Sequence, residues 1–156
     1  MNLQSLFENF QTSAFRLEGL PRYSTPKEQE AFRYFQAVQQ LPASFNDKWV
    51  QFVKDETSKG KVIQRLRLVS NELTDYEKFE MTAYRQDESR EDIRFIDRVG
   101  QPYKYDFWLF DNRWLVKMNY DDNGSYIDSQ TLDASERHEE ITYWTTIYES
   151  ARTQQH

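Results

Sequence analysis

The sequence contains no cysteine, and this absence excludes several kinds of protein and site. The chain has no disulfide framework, no thiolate nucleophile and no zinc site built on sulfur. Glycine and proline are also few, four of each among 156 residues, which argues against a low-complexity chain. We therefore expect one folded domain over residues 1–156, long enough to bury a proper core.

The sequence also shows no segment of the kind that directs a chain into a membrane or out of the cell. No apolar run approaches the roughly 18 residues that a membrane-spanning helix needs. The first residues, Met1 to Glu8, lack the basic and apolar regions of a signal peptide. The expectation is a cytoplasmic protein without membrane contact.

The charge balance is acidic, with 26 acidic and 20 basic residues and a formal net charge of −6. A surface of that sign repels polyanions, so broad nucleic-acid binding is not expected. Aromatic residues make up 16% of the chain. Tyrosine and tryptophan carry polar groups that need partners when buried, so hydrogen bonds should run through the core.

The spacing of apolar residues predicts an α+β fold with helices first, a mixed and mostly antiparallel sheet next, and a closing helix. Residues 1–60 are interpreted as a helical part and residues 61–151 as the sheet with its helices. A helix over 74–85 crosses the sheet, and the last helix covers 134–151. The strands are predicted near 62–69, 92–96, 105–111, 114–120 and 125–131.

Ser5 and Glu8 have the capping-box form and predict a short first helix, and Asp133 with Glu136 begins the last helix. Two further helix starts carry a capping signal. Thr25 and Glu28 flank Pro26 and predict a capping threonine with a reciprocal glutamate. Thr74 and Glu77 form a second capping box, at the start of the crossing helix.

Three separated segments resemble, in order and rough spacing, one family of small bacterial proteins. The segments are Ser13-Ala14-Phe15-Arg16-Leu17-Glu18, Val69-Ser70 with Leu73-Thr74-Asp75-Tyr76 and Phe79-Glu80, and Asp106-Phe107-Trp108-Leu109-Phe110-Asp111. The family is an uncharacterised, mostly actinobacterial domain of unknown function, and the likeness runs from about Leu3 to Tyr148. Members are often encoded near helix-turn-helix regulators, so the resemblance implies a regulatory role.

The order of strand, helix, strand and hairpin around the Phe110-Asp111 pair is similar to the phospholipase-D-type sheet, including its non-catalytic versions. The catalytic signature of that superfamily needs a histidine two residues before a lysine. The histidines here are His138 and His156, and neither precedes a lysine in that way. The resemblance therefore implies the fold without its chemistry.

Four carboxylates, Asp75, Glu80, Asp106 and Asp111, form one candidate site, because converging carboxylates hold Mg²⁺ or Mn²⁺. Their spacing gives little support. Asp75 and Glu80 would point about 140° apart on a helix, and Asp106 and Asp111 lie on opposite faces of a strand. The alternative is structural: Asp75 serves the helix start, Asp111 a turn, and Glu80 pairs with an arginine inside the domain.

A second candidate is a basic and aromatic group. Arg65 and Arg67 project from one face of a strand and could clamp a phosphate or carboxylate bidentately. The alternative is internal pairing of Arg16 or Arg65 with Glu18 or Glu80. The group consists of Arg16, Arg65, Arg67, Tyr23 and Tyr76.

Other motifs predict no chemistry. Asp121, Asn123 and Ser125 have alternate oxygens, but the glycine and glutamate positions of a calcium loop are not matched. His138 lies on the charged face of the last helix and lacks a second histidine for a helical zinc site. No nucleophile elbow and no glycine-rich phosphate loop is present.

These observations favour a non-catalytic binding or regulatory module that needs no cofactor or metal. It would act with a protein partner, for which the resemblance suggests a helix-turn-helix regulator. Any pocket should lie where the 75–80 helix meets the 105–111 strand, lined by Arg16, Arg65, Tyr76, Glu80 and Trp108. The alternative is a metal-dependent phosphodiesterase or nuclease, of the toxin or defence kind, that uses the four carboxylates. The pattern leaves the oligomeric state open.

Overall fold

The computed structural model describes residues 1–43, 45–86 and 90–153, and it confirms the α+β class. Within these residues there are five α-helices and seven strands. The helices are α1 (Leu3–Asn9), α2 (Pro26–Val38), α3 (Asp47–Ser58), α4 (Asp75–Gln86) and α5 (His138–Ser150), the last preceded by a 3-10 turn, Ala134–Arg137. The strands are β1 (Ser13–Glu18), β2 (Val62–Val69), β3 (Asp92–Asp97), β4 (Asp106–Phe110), β5 (Trp114–Tyr120), β6 (Tyr126–Asp133) and β7 (Arg152–Thr153).

All seven strands belong to one sheet in the order β6-β5-β4-β1-β2-β3-β7. The neighbours β1, β2 and β3 run parallel, and the remaining pairs are antiparallel, as the mixed and mostly antiparallel prediction requires. The five predicted strands are all present at nearly the predicted positions.

The central strand β1 was not predicted. It lies within the first 60 residues, so the interpretation of that part as helical is wrong at Ser13–Glu18. Its apolar residues Phe15 and Leu17 alternate with Arg16 and Glu18, which resembles a half-exposed edge segment. In the structure both faces of β1 are buried, because its charged side chains pair with those of β2 and β4.

The back face of the sheet packs against α5. Trp144 and Tyr148 of that helix contact the inward side chains of the central strands. The strand residues of this core are Phe15, Leu17, Leu66, Leu68, Phe107, Leu109 and Leu115. Alternation along each strand then directs the intervening residues to the opposite, front face.

The front face is covered by the other four helices. Leu6 of α1 and Val53 of α3 pack over Ala14, Ile63 and Phe110. The helices α2 and α4 pack against each other through aromatic rings, those of Phe32, Phe35, Tyr76 and Phe79. No helix among the described residues combines the length and apolar character needed to cross a bilayer.

The cap predicted at Ser5 is wrong, because Asn2 is the N-cap of α1 and Ser5 lies in its first turn, whereas Asp133 caps the 3-10 turn before α5. The cap predicted at α4 is correct, and the one at α2 is half correct. At α4 the Thr74 hydroxyl accepts from the Glu77 amide at 3.1 Å, and the Glu77 carboxylate accepts from the Thr74 amide at 3.0 Å. At α2 the Thr25 hydroxyl accepts from the Glu28 amide, but the Glu28 carboxylate does not return to Thr25. It accepts instead from the Tyr76 hydroxyl at 2.7 Å, which places Glu28 between α2 and α4.

The β5–β6 turn is held tightly against the loop that precedes α2. Gly124 has a φ of +80°, which favours glycine, and its carbonyl accepts from the Ser24 amide at 2.9 Å. A Cβ at Gly124 would collide with the backbone carbonyl of Arg22. Gly60 at the end of α3 has a similar φ of +89° but open space around it. A comparison of the two glycines therefore distinguishes the cost of backbone strain from the cost of the collision.

We therefore expect Gly124→Ala to lower the free energy of unfolding more than Gly60→Ala does. The left-handed conformation alone costs a non-glycine residue about 1–2 kcal/mol, which both variants share. The collision with Arg22 adds to that cost only at Gly124. Urea denaturation of both variants measures the difference, and equal losses would contradict the close packing of the turn.

Candidate functional site

Charged side chains form a buried layer on the front face of the central strands. The strand register places Arg16 beside Arg65 and Glu18 beside Arg67, while Arg16 also lies opposite Trp108 of β4. Arg67 is only 1% exposed. Charges are almost never buried in this way unless they are paired, so the layer depends on the contacts between its own members.

Glu18, the last residue of β1, is the anion shared by all three arginines. Its carboxylate accepts from Arg65 Nη1 at 2.9 Å and from the Tyr84 hydroxyl at 2.5 Å. Arg67 Nε lies 3.4 Å and Arg16 Nε 3.9 Å from the same carboxylate. Burial by itself would raise the pKa of Glu18, but the three guanidinium groups outweigh it and lower that pKa to about 2.

Asp106, at the start of β4, is the second buried anion and is fully enclosed. It accepts from Arg16 Nη2 at 2.9 Å, from the Gly19 amide at 2.9 Å and from the Tyr103 hydroxyl at 2.5 Å. The Tyr23 hydroxyl is a further donor. Burial, followed by the charge of Asp106, raises the pKa of Tyr23 and of Tyr103, so both hydroxyls stay protonated at neutral pH.

Helix α4 and the residue before β3 complete the layer. Arg67 Nη2 donates to the Glu80 carboxylate. Arg65 Nε donates to Glu91 at 2.8 Å, and Glu91 also accepts from the Trp49 indole at 2.9 Å. The guanidinium of Arg65 is therefore occupied on two sides by carboxylates of the chain itself.

The layer contains one more carboxylate than guanidinium groups. Its guanidinium groups are those of Arg16, Arg65 and Arg67. Its carboxylates are those of Glu18, Glu80, Glu91 and Asp106. Burial, opposed by Arg67 and reinforced by the charge of Glu18, raises the pKa of Glu80 to about 8. One proton on Glu80 makes the net charge of the layer zero. Zero net charge is favoured because an uncompensated charge is costly to bury away from water.

A pocket of about 160 Å³ opens above this layer, where α2, α3 and α4 meet. Its floor contains Glu18 and Arg65, and Glu28 and Glu80 reach it from α2 and α4. Aromatic side chains form much of the remaining wall, those of Phe45, Trp49, Tyr76, Phe79 and Tyr84. Asn46, Ala83 and Glu91 also line it, and the described part of the chain contributes no serine, histidine or lysine to the wall.

The structure brings together most of the candidate residues of the sequence. Six of them, Arg16, Glu18, Arg65, Arg67, Glu80 and Asp106, belong to the buried layer. Trp108 lies beside it, with the guanidinium carbons of Arg16 and Arg65 at 5.7 and 5.8 Å from its ring centroid. Tyr76 lines the pocket on the same side of α4 as Glu80. The internal pairing of the arginines, predicted as the alternative to a phosphate clamp, is what the contacts show.

Two predicted residues lie elsewhere, so the four-carboxylate arrangement is wrong. Asp75 is exposed in the first turn of α4. Asp111, at the other end of β4 from Asp106, accepts from the amides of Gln11, Thr12 and Ser13. Asp106 and Asp111 are five residues apart on a strand that keeps them at opposite ends. Over 1–43, 45–86 and 90–153 no three histidine, aspartate or glutamate side chains are grouped to hold a metal ion.

The predicted position of the pocket needs a smaller correction. It lies under α4, as expected, but its floor is β1 and β2 rather than β4. Arg16 and Trp108 therefore do not line it. The reason is the strand order, since β1 separates β4 from β2 and carries Glu18 to the pocket.

Three residues of the site were not among the predicted site residues, namely Glu28, Tyr84 and Glu91. Glu28 was assigned to the start of α2, where its backbone does serve the cap. Tyr84 follows Glu80 by four residues, a spacing that places both on one helix face and that could have identified it. Glu91 accepts a hydrogen bond from Arg65, which lies 26 residues earlier in the chain. No local sequence pattern predicts a contact over that distance.

A family model matches residues 1–154 of this sequence, that of a domain of unknown function, DUF6879. The chain belongs to this family. The match confirms the resemblance drawn from the three sequence segments. Comparison with curated protein sequences finds no match.

Two solved structures share the fold of this DUF6879 domain. One is Nuc, a phospholipase D family member from Salmonella typhimurium, with 10% identity and a TM-score of 0.55, covering 97% of this chain and 88% of the other. The second is NucT from Helicobacter pylori, with 14% identity and a TM-score of 0.52. The match covers 97% of this chain and 89% of NucT. The phospholipase-D-like fold is thus confirmed, and identities this low extend to the fold alone.

The raised pKa of Glu80 leads to a prediction about the pH dependence of stability. The folded protein binds this proton more tightly than the unfolded chain does, since the pKa rises from 4.5 to about 8. The stabilisation is complete below the unfolded pKa and is lost as the pH rises through about 8. Glu80→Gln keeps the shape of the protonated carboxyl group but cannot ionise.

As the pH rises from 5 to 9, the unchanged protein should therefore lose stability that Glu80→Gln keeps. The free energy of unfolding of the variant should rise by roughly a few kcal/mol relative to that of the unchanged protein over this range. Urea denaturation across that range measures it, with the exposed Glu72→Gln as the control for loss of a carboxylate. If the difference in stability between Glu80→Gln and the unchanged protein instead stays constant from pH 5 to pH 9, Glu80 is already ionised in its pair with Arg67 and the neutral layer is wrong.

Proposed function

We propose that this DUF6879 domain is a non-catalytic binding module that holds a small ligand in the pocket between α2, α3 and α4. The observation that carries the proposal is the pocket itself, which combines charged groups and aromatic rings over a floor of paired charges. Small-molecule sites typically have such a wall of rings with a few polar groups that set orientation.

The groups in the pocket support binding better than catalysis. Burial raises the pKa of Tyr76 and of Tyr84, so neither hydroxyl supplies an anionic nucleophile at neutral pH. Arg65 donates through Nη1 to Glu18 and through Nε to Glu91, so a phosphate that approached this guanidinium would lie beside two carboxylates. The arginines therefore stabilise the floor in this proposal and do not clamp a substrate.

The proposal includes a protein partner that responds to the occupied pocket. The resemblance to a family whose members are often encoded beside helix-turn-helix regulators supports a regulator of that kind. The acidic net charge of −6 supports contact with the protein in preference to its DNA.

A blocked pocket provides the test of ligand binding. Ala83 lines the pocket from α4 and is buried, so Ala83→Trp should fill the space. The control is Ala37→Trp, at an exposed position of α2. The probes are methylguanidinium, n-butylammonium, methylurea, acetate and inorganic phosphate, observed by saturation-transfer NMR.

At least one probe should bind the unchanged protein and Ala37→Trp, but not Ala83→Trp. Ala83→Leu, which adds less volume, replaces the tryptophan variant if that variant does not fold. The proposal fails if no probe binds the unchanged protein, or if binding is the same with the pocket filled.

The second candidate function is cleavage of a phosphodiester, which the fold shared with a phospholipase D family member supports. Against it stand the separation of Asp75 and Asp111 from the buried layer and the lack of a histidine two residues before a lysine. Cleavage of DNA, RNA or bis-p-nitrophenyl phosphate with Mg²⁺ or Mn²⁺ tests it. We expect no cleavage and no metal-induced rise in melting temperature, and cleavage that Glu80→Ala abolishes would establish the enzyme instead.

A further inference from the structure

The pocket wall carries more negative than positive charge. Glu18, Glu28 and Glu91 line it as carboxylates, and Glu80 lines it as the group that holds a proton in the neutral layer. Arg65 is the cation among the described lining residues. Arg65 is already shared between Glu18 and Glu91, and Arg67 below the floor is paired with Glu80. An anionic ligand would therefore meet carboxylates on most sides of the pocket, and a cationic ligand would be attracted.

Glu28 is the carboxylate whose charge is least compensated. It forms no ion pair within the described residues, and its hydrogen-bond donor there is the Tyr76 hydroxyl at 2.7 Å. A carboxylate has about four acceptor positions, so Glu28 has room for a further donor on the pocket side. Burial raises its pKa, which agrees with a carboxylate that lacks a counter-ion.

The aromatic wall also suits a cation, because ring faces attract positive charge. Trp49 and Tyr84 already have the Arg65 guanidinium 5.7 and 5.6 Å from their ring centroids. At the edge of the pocket, the exposed Lys27 ammonium lies 5.9 Å from the ring centroid of Phe45. These rings thus provide an environment in which the chain itself places cations.

The volume limits the size of the ligand. About 160 Å³ is close to that of engineered apolar cavities that hold one benzene molecule. One cationic group with a short apolar chain fits this space.

We propose that the pocket selects a small organic cation, a guanidinium or ammonium group on a short apolar chain, with Glu28 as its counter-ion. The inference rests on the proposed function, since it assigns the ligand class of the same pocket. Glu28 would bind the cation directly, and the rings of Phe45 and Trp49 would cover its apolar part.

The test compares methylguanidinium with methylurea, a neutral molecule of nearly the same shape, by isothermal titration at low salt. Methylguanidinium should bind more tightly than methylurea and than acetate or phosphate. Glu28→Gln should weaken methylguanidinium binding roughly tenfold or more, because a charge-assisted hydrogen bond becomes a neutral one. Glu30→Gln, an exposed position on the same helix, should leave the affinity unchanged.

Tyr76→Phe provides a second variant should Glu28→Gln not fold. It removes the donor to Glu28 but keeps the carboxylate, so methylguanidinium should still be preferred over methylurea. The inference is overturned if methylurea, acetate or phosphate binds as tightly as methylguanidinium, or if Glu28→Gln binds like the unchanged protein. In those cases the pocket still binds a ligand and the proposed function stands, whereas failure of every probe removes both.

Discussion

Neutralisation of buried charge on the central strands is the constraint on which the rest of this structure depends. Arg16, Glu18 and Arg67 lie where a sheet normally presents apolar side chains to its covering helices. Burying even one of them without a partner costs several kcal/mol. The strands β1, β2 and β4 must therefore be in register, because a shift by one residue would separate every pair and turn the charges to the back face.

The same constraint explains the arrangement of the helices around the pocket. The helix α4 has to bring Glu80 to Arg67 and Tyr84 to Glu18, and this fixes its position over β2. The helix α2 follows α4 through packed aromatic rings, which carries Glu28 to the edge of the charged layer.

The sheet of this domain, which it shares with a phospholipase D family member, carries a layer of paired charges on its front face. The sheet supplies positions on its front face, and the residues at those positions decide the chemistry. Here they are arginines, glutamates and tyrosines that pair with one another, and among the described residues only Arg16 Nη1 and Arg67 Nε are buried side-chain nitrogens without a hydrogen-bond partner. Tyr23 and Tyr103 donate to Asp106 and keep their protons, so the tyrosines act as hydrogen-bond donors to buried carboxylates.

The α+β class, five of the strands, the crossing helix and most members of the charged layer were predictable from the sequence, because periodicity and capping are local properties. Alternation along β2 placed Arg65 with Arg67 on one face. Only the tertiary structure decided that β1 is central, that Asp111 lies away from Asp106, and that Glu28 and Glu91 join the site. These outcomes depend on strand order and on contacts such as Arg65 with Glu91, across stretches of chain that no local pattern spans.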